Sequence, residues 1–70
     1  MITTKEIIQI LRTTDPKSEY EKGRFKLLKN YINALKSMNR RNALKYCIEQ
    51  FPSNESEDFQ KGYVDSYLEL

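Results

Sequence analysis

The sequence contains no histidine and no tryptophan, and it has a single cysteine among its 70 residues. Without histidine, neither a serine- or cysteine-based catalytic triad nor a histidine proton shuttle can be assembled. The lone thiol cannot form an internal disulfide, which favours a reducing compartment, and it leaves the usual structural zinc sets incomplete. We therefore expect a protein that is not an enzyme and that needs no metal or other cofactor.

Glycine is almost as scarce, since Gly23 and Gly62 are the only two and stand 39 residues apart. That separation excludes a glycine-rich phosphate loop. Residues 19–23 and 58–62 read Glu-Tyr-Glu-Lys-Gly and Asp-Phe-Gln-Lys-Gly, which match position by position in approximate residue class. Glycine inside a helix costs about 1 kcal/mol relative to alanine. Either another helix approaches closely across each bare backbone, or a favourable helix-start sequence simply recurs.

Long apolar runs are also absent, since none approaches the roughly 18 residues of a membrane span. The start of the chain lacks the basic segment of a signal peptide, and no apolar segment follows it. These features predict one soluble helical domain over residues 1–70, located in the cytoplasm. A domain of this size buries only about 60% of the surface of its unfolded chain, so a partner subunit would add stability.

Helix-start and helix-stop signals predict an all-α fold, a small bundle of four short helices over about residues 4–13, 16–38, 40–51 and 55–69. The second helix is predicted to be the longest. Strands have little support, because no stretch sustains an alternation of apolar and polar residues.

Side chains that cap helix N-termini define the predicted boundaries. Glu6 and Glu21 stand three residues after a threonine and a serine, so each completes a capping box. Pro52 ends the third helix. In chain order, the predicted N-caps are Thr3, Asp15 or Ser18, Asn39, and Ser53 or Asn54.

The third helix has the clearest apolar stripe, at the i, i+3, i+4 and i+7 spacing of one helix face. The stripe consists of Leu44, Cys47, Ile48 and Phe51. Because Cys47 lies within it, we expect this residue to be a small buried hydrophobe and not a nucleophile. Tyr46 is expected to point away from the stripe.

Charge is segregated along the chain, although the formal net charge is only +2. Residues 22–45 contain eight basic residues and no acidic one, whereas residues 46–70 contain six acidic residues and one basic one. A segregated pattern indicates binding partners, while net charge alone governs mainly solubility.

Seven of the basic residues make up the predicted partner-binding face: Lys22, Lys26, Lys29, Lys36, Arg40, Arg41 and Lys45. If the second helix continued to Arg40, five of them would share an arc of about 80° along it. Solvated helix faces usually mix charges of both signs to gain pairs one turn apart, and this face does not. Three interpretations follow: contact with an acidic protein surface, contact with nucleic-acid phosphates, or exposure to solvent with pairing to the acidic fourth helix.

The sequence has more apolar side chains than one small core can bury. The fourth helix carries two apolar stripes, and the second, Val64 and Leu68, lies about 125° round the helix from the centre of the first. Together with Tyr46, these residues form a predicted self-association or partner-binding surface, so we expect a homodimer. The alternative is that the fourth helix lies in the middle of the domain and is covered on both sides.

The sequence therefore predicts a small protein that works by binding. The leading hypothesis is a regulator or inhibitor that docks on a larger protein or nucleoprotein complex, a type of chain common among phage and mobile-element accessory proteins. An alternative is a small nucleic-acid-binding protein that uses the basic stripe of the second helix and the start of the third. A third hypothesis is a self-associating bundle whose basic and acidic regions pair head to tail.

Overall fold

The computed structural model describes residues 2–70 as four α-helices with intervening turns. The helices are α1 (Thr4–Thr13), α2 (Glu19–Leu35), α3 (Arg40–Glu49) and α4 (Glu57–Glu69), and the described residues contain no strand. The predicted all-α bundle of four short helices is confirmed, with α2 the longest at 17 residues.

Capping boxes start α1 and α2. The Thr3 hydroxyl accepts a hydrogen bond from the backbone N–H of Glu6 at 3.2 Å. The Ser18 hydroxyl accepts one from the backbone N–H of Glu21 at 3.1 Å, and hydrogen bonds from Ser18 hold the pKa of Glu21 below its usual range. The predicted start at Ser18 is therefore right and the start at Asp15 is wrong, because a box satisfies two free donors and a lone cap satisfies one.

α2 ends at Leu35, three residues before the predicted end at Met38. The backbone N–H groups of Ser37 and Met38 both donate to the Ala34 carbonyl oxygen, at 3.1 and 3.0 Å, which closes the last turn. Asn39 has to leave the helical conformation in order to cap α3, and its φ of −75° and ψ of 172° are extended. A turn therefore separates α2 from α3.

α3 and α4 are both shorter than predicted. α3 ends at Glu49, two residues earlier than expected. α4 begins after Ser56, whose hydroxyl accepts a hydrogen bond from the backbone N–H of Phe59 at 3.3 Å, so the predicted caps Ser53 and Asn54 are wrong. Ser56 leaves two acidic residues in the first turn of α4, where they complement the positive end of the helix dipole.

The core is built around α2, which packs against each of the other three helices and most extensively against α4. Every helix contributes to the buried set: Ile7, Leu27, Leu28, Tyr31, Ala34, Ala43, Cys47 and Tyr63. α4 is not covered on both sides, because Val64 and Leu68 remain 41% and 74% exposed.

α2 and α4 cross at the two glycines. A Cβ atom at Gly23 would overlap the carbonyl oxygen of Phe59 and lie 2.8 Å from its carbonyl carbon. A Cβ atom at Gly62 would overlap the carbonyl oxygen of Tyr20 and lie 2.9 Å from its carbonyl carbon. The repeated sequence therefore marks a close helix approach, because only glycine leaves room for the facing backbone.

The crossing has an approximate two-fold symmetry, which relates residue n of α2 to residue n + 39 of α4, as it relates the two glycines. Polar contacts beside the crossing follow the same relation. Arg24 forms an ion pair with Glu69 at 2.6 Å. The symmetry-related residues are Tyr63 and Asn30, and they are hydrogen-bonded at 3.2 Å.

Replacing either glycine with alanine should destabilise the fold, although alanine is the better helix former. In Gly23→Ala or Gly62→Ala, the added methyl group has to displace a backbone carbonyl. We expect the free energy of unfolding to fall by about 3 kcal/mol. Urea unfolding followed by circular dichroism at fixed protein concentration measures this loss.

Asn33→Ala provides the matched control, because Asn33 lies in the same helix and is exposed. It should change the free energy of unfolding by less than about 0.5 kcal/mol. If Gly23→Ala instead stabilised the protein by about 1 kcal/mol, as alanine does for a glycine in open space, the helices would not cross closely.

Candidate functional site

A groove of about 210 Å³ opens between α3 and α4, and we refer to it as the α3–α4 groove. Its lining is apolar and aromatic: Cys47, Ile48, Phe51, Tyr63, Val64 and Tyr67. Three of these side chains are unusually exposed for their type, namely Ile48 at 58%, Phe51 at 41% and Val64 at 41%. The groove therefore presents a concave apolar surface to solvent.

The exposure of Ile48 and Phe51 corrects the predicted buried stripe of α3. α3 turns Ala43 and Cys47 toward the core, where both are fully buried, while Leu44 is half-buried. Ala43 and Cys47 stand one helical turn apart, and their small side chains let α3 lie close to α2. The larger side chains beside them are left to form the wall of the groove.

Tyr63 forms the floor of the groove and links three helices. Its hydroxyl donates to the carbonyl oxygen of Cys47 at 2.7 Å and accepts a hydrogen bond from Nδ2 of Asn30 at 3.2 Å. The Cys47 carbonyl lies in the last turn of α3, where carbonyls lack helical partners, so Tyr63 supplies one. Phe51 packs edge-on against the Tyr63 ring, with ring centroids 6.0 Å apart. Burial raises the pKa of the Tyr63 hydroxyl, which therefore stays protonated.

Cys47 is the buried cysteine that the apolar stripe predicted. Its side chain is fully buried, and burial raises the pKa of the thiol to about 11. Because the thiolate is the reactive form, the protonated thiol is a poor nucleophile at neutral pH.

Acidic side chains border the groove. A neighbouring depression shares Phe51 and Val64 with the groove, and its other lining residues are polar or charged: Glu57, Asp58, Gln60, Lys61 and Asp65. Three of those five carry carboxylates. An occupant with basic groups beside its apolar surface would therefore complement the groove in charge.

The three residues predicted to self-associate occupy different environments. Val64 lines the groove, and Leu68 lies one turn further along α4 with 74% of its surface exposed. Tyr46 lies away from the predicted stripe, but it is half-buried and packs against the core, because the stripe is not the buried face of α3. The register of α3 explains this, because Tyr46 stands three residues after Ala43 and shares its buried side.

All seven residues of the predicted basic face are exposed, but they do not lie on one continuous helical stripe. Because α2 ends at Leu35, Lys36 lies at the helix end and the last three belong to α3. The Arg40 guanidinium contacts the end of α4, where it donates to the carbonyl oxygen of Leu70. Only part of the face lines one depression: Lys22, Lys26 and Lys29.

That depression measures about 220 Å³ and has an aromatic floor. Phe25 of α2 and Phe59 of α4 are half-buried and line it together with Pro16. We refer to it as the lysine–phenylalanine depression. Neither phenylalanine was predicted as a site residue, although Phe59 belongs to the second copy of the repeat, three residues before Gly62.

Pairing within the chain does not account for the lysines. Among residues 2–70, the ion pairs are Lys22 with Glu19 at 3.6 Å and Arg24 with Glu69 at 2.6 Å. Arg24 therefore makes the ionic contact between α2 and α4, and its hydrogen bond to Glu69 raises the pKa of its guanidinium. The other lysines of α2 form no ion pair with the described residues.

Comparison of this chain with protein-family models, with curated proteins and with solved structures finds no significant match. Within residues 2–70, histidine, cysteine, aspartate and glutamate side chains nowhere cluster in threes as a metal site would need. No helix in that part of the chain is long and apolar enough to cross a membrane. The α3–α4 groove and the lysine–phenylalanine depression are both concave and lined by aromatic side chains from α4 and a second segment, so each can support a binding function.

The Cys47 thiol should resist modification in the folded protein. At mildly alkaline pH, its raised pKa leaves about 100-fold less thiolate than an ordinary pKa of 9.0 would. We expect slow reaction with a disulfide reagent under native conditions and rapid reaction in denaturant, with the native rate increasing as the pH approaches 11. Rapid native labelling at neutral pH would show that the groove opens down to the thiol.

Proposed function

We propose that this protein is a non-catalytic regulator that docks on a larger protein, and that the α3–α4 groove is its docking surface. The exposed apolar lining of the groove supports this proposal. Single exposed apolar residues need no explanation, but Ile48, Phe51 and Val64 surround one concave surface, and surfaces of this kind typically bind another protein.

The charges beside the groove define the kind of partner. Three carboxylates and one cation, Lys61, line the depression next to the groove, so a segment with basic residues next to its apolar residues would be complementary to Glu57, Asp58 and Asp65. An amphipathic helix suits a groove between two helices, because its apolar residues recur at i, i+4 and i+7 along one face. We therefore expect the partner to contribute a helix with an apolar face and a basic flank.

A second copy of this chain offers a surface of the same chemistry. Arg41, Lys45 and Ile48 are exposed and stand at i, i+4 and i+7 along α3. Two copies related by a two-fold axis would place α3 of one along α4 of the other, with basic residues facing acidic ones. We propose that the free protein is a homodimer joined in this way, and that the larger partner displaces the second copy.

Light scattering coupled to gel filtration should give about twice the 8.4 kDa chain mass at micromolar concentration. Val64→Asp should weaken the dimer by about 100-fold or more, because it places an unpaired charge in the apolar interface. Ile8→Asp provides the control, since Ile8 lies on α1 and is 38% exposed, close to the 41% of Val64. A wild-type monomer would overturn the homodimer.

Charge reversal tests the proposed orientation of the two copies. The double variant Arg41→Glu/Lys45→Glu should dissociate the dimer, because acidic residues would then face Glu57 and Asp58 of the second copy. Mixing it with Glu57→Lys/Asp58→Lys should restore a mixed dimer, which native mass spectrometry detects. Failure to restore it would show that α3 and α4 do not face each other across the interface.

Docking on a larger protein is tested with the same pair of variants. A protein captured from host extract should bind the wild type and Ile8→Asp but not Val64→Asp. The purified complex should contain one copy of this chain and no homodimer. A partner that binds Val64→Asp as tightly as the wild type would exclude the groove as the docking surface.

A further inference from the structure

The two edges of the α2–α4 crossing are related by symmetry but differ in chemistry. At one edge, the Tyr20 hydroxyl donates to a carboxylate oxygen of Asp65 at 2.6 Å. The symmetry-related residues at the other edge are Phe59 and Lys26. This second edge therefore lacks the hydroxyl and carries a cation in place of the carboxylate, so no internal hydrogen bond of that kind can form.

The second edge is the lysine–phenylalanine depression, and its lysines are free to bind an anion. Lys26 and Lys29 form no ion pair within residues 2–70. Lys22 contacts Glu19 at 3.6 Å, but both side chains are about half exposed, and exposed pairs of this kind contribute little. Three cations therefore surround two half-buried aromatic rings.

We propose that the lysine–phenylalanine depression binds single-stranded nucleic acid. One base stacks on the rings of Phe25 and Phe59, and the phosphates on either side contact the lysines. Proteins that bind single strands without sequence preference combine these two elements, aromatic platforms and a basic surface along the backbone. At about 220 Å³, the depression is smaller than a typical small-molecule pocket of 300 Å³ or more, so it accommodates part of a longer ligand.

Other anionic partners fit the depression less well. A membrane-binding surface needs apolar side chains that protrude into the bilayer, whereas Phe25 and Phe59 are half-buried at the floor of a concavity. Phosphopeptide sites rely on arginine, whose planar guanidinium binds phosphate with two hydrogen bonds, and this depression has only lysine. A flat base with a flexible charged backbone matches both the rings and the lysines.

The depression is separate from the α3–α4 groove. The two surfaces share no lining residue, and the exposed Val64 of the groove lies about 140° from Phe59 around α4. The two surfaces can therefore be occupied together, as they would be on a larger partner that is a nucleoprotein. The nucleic-acid inference does not depend on the proposed docking function.

Fluorescence anisotropy with a labelled short oligothymidylate tests this inference directly. Three phosphate contacts to a single strand predict a salt slope of about −2, so affinity should fall about 20-fold between about 50 and 200 mM salt. An abasic oligonucleotide of equal length should bind at least about 5-fold more weakly, because it keeps the phosphates and loses base stacking. Equal affinity for the two probes would overturn the proposal.

Variants locate the binding site. Lys26→Ala should weaken binding about 8-fold at about 50 mM salt and make the salt slope shallower by about 0.7. Lys5→Ala, which removes an exposed lysine of α1, should have little effect. Equal losses from the two variants would mean that charge attracts the oligonucleotide without a specific site, which would overturn the proposal.

The aromatic floor has its own pair of variants. Phe59→Leu should weaken binding at least about 5-fold, whereas Phe59→Tyr keeps the ring and should retain binding. Circular dichroism shows whether each variant is folded, and Lys26→Ala provides an independent test if Phe59→Leu is not.

Two further results distinguish this proposal from docking at the groove and from membrane binding. Val64→Asp should bind the oligonucleotide as the wild type does, so a failure of docking at the groove leaves this inference standing. Absence of oligonucleotide binding at low salt, or stronger binding to phosphatidylserine vesicles than to the oligonucleotide, would overturn it.

Discussion

The close crossing of α2 and α4 at their two glycines is the constraint on which the remaining structure depends. Backbones at this separation allow Cα–H···O contacts and leave no space for a side chain between them. Long side chains on both edges therefore reach the opposite helix, as Arg24 does with Glu69 and Tyr63 does with Asn30. With α4 fixed in this way, α1 and α3 pack on α2, and the core forms around it.

The same symmetry explains why one edge of the crossing is closed and the other open. The hydrogen bond to Asp65 raises the pKa of the Tyr20 hydroxyl, so it stays a protonated donor and that edge is satisfied within the chain. At the opposite edge, Phe59 has nothing to donate, and Lys26 cannot accept a hydrogen bond. Two differences between the related helices, Phe59 in place of Tyr20 and Lys26 in place of Asp65, therefore remove an internal hydrogen bond and leave a surface that faces solvent.

Local signals predicted the helices because capping is a local interaction. The boxes at Thr3 and Ser18 need only residues three positions apart. The buried face of α3 could not be predicted in this way, because Ala43 with Cys47 and Leu44 with Ile48 have the same spacing. The choice between these faces depends on how much room α2 leaves, and small side chains fit where large ones do not.

Neither concave surface could be predicted from the sequence, because each needs residues from two helices whose relative rotation no local pattern contains. The charge segregation is visible in the sequence itself, and the α2–α4 crossing determines which of the charged side chains pair within the chain. Arg24 forms the ion pair with α4, whereas the three lysines of α2 line the lysine–phenylalanine depression. Three carboxylates of α4 line the depression next to the groove. Carboxylates therefore outnumber the single lysine, Lys61, beside the groove, whereas the charged residues that line the lysine–phenylalanine depression are all lysines. Carboxylates at the groove repel phosphates, and lysines at the depression repel a basic helix, so the two ligands would not compete for one surface.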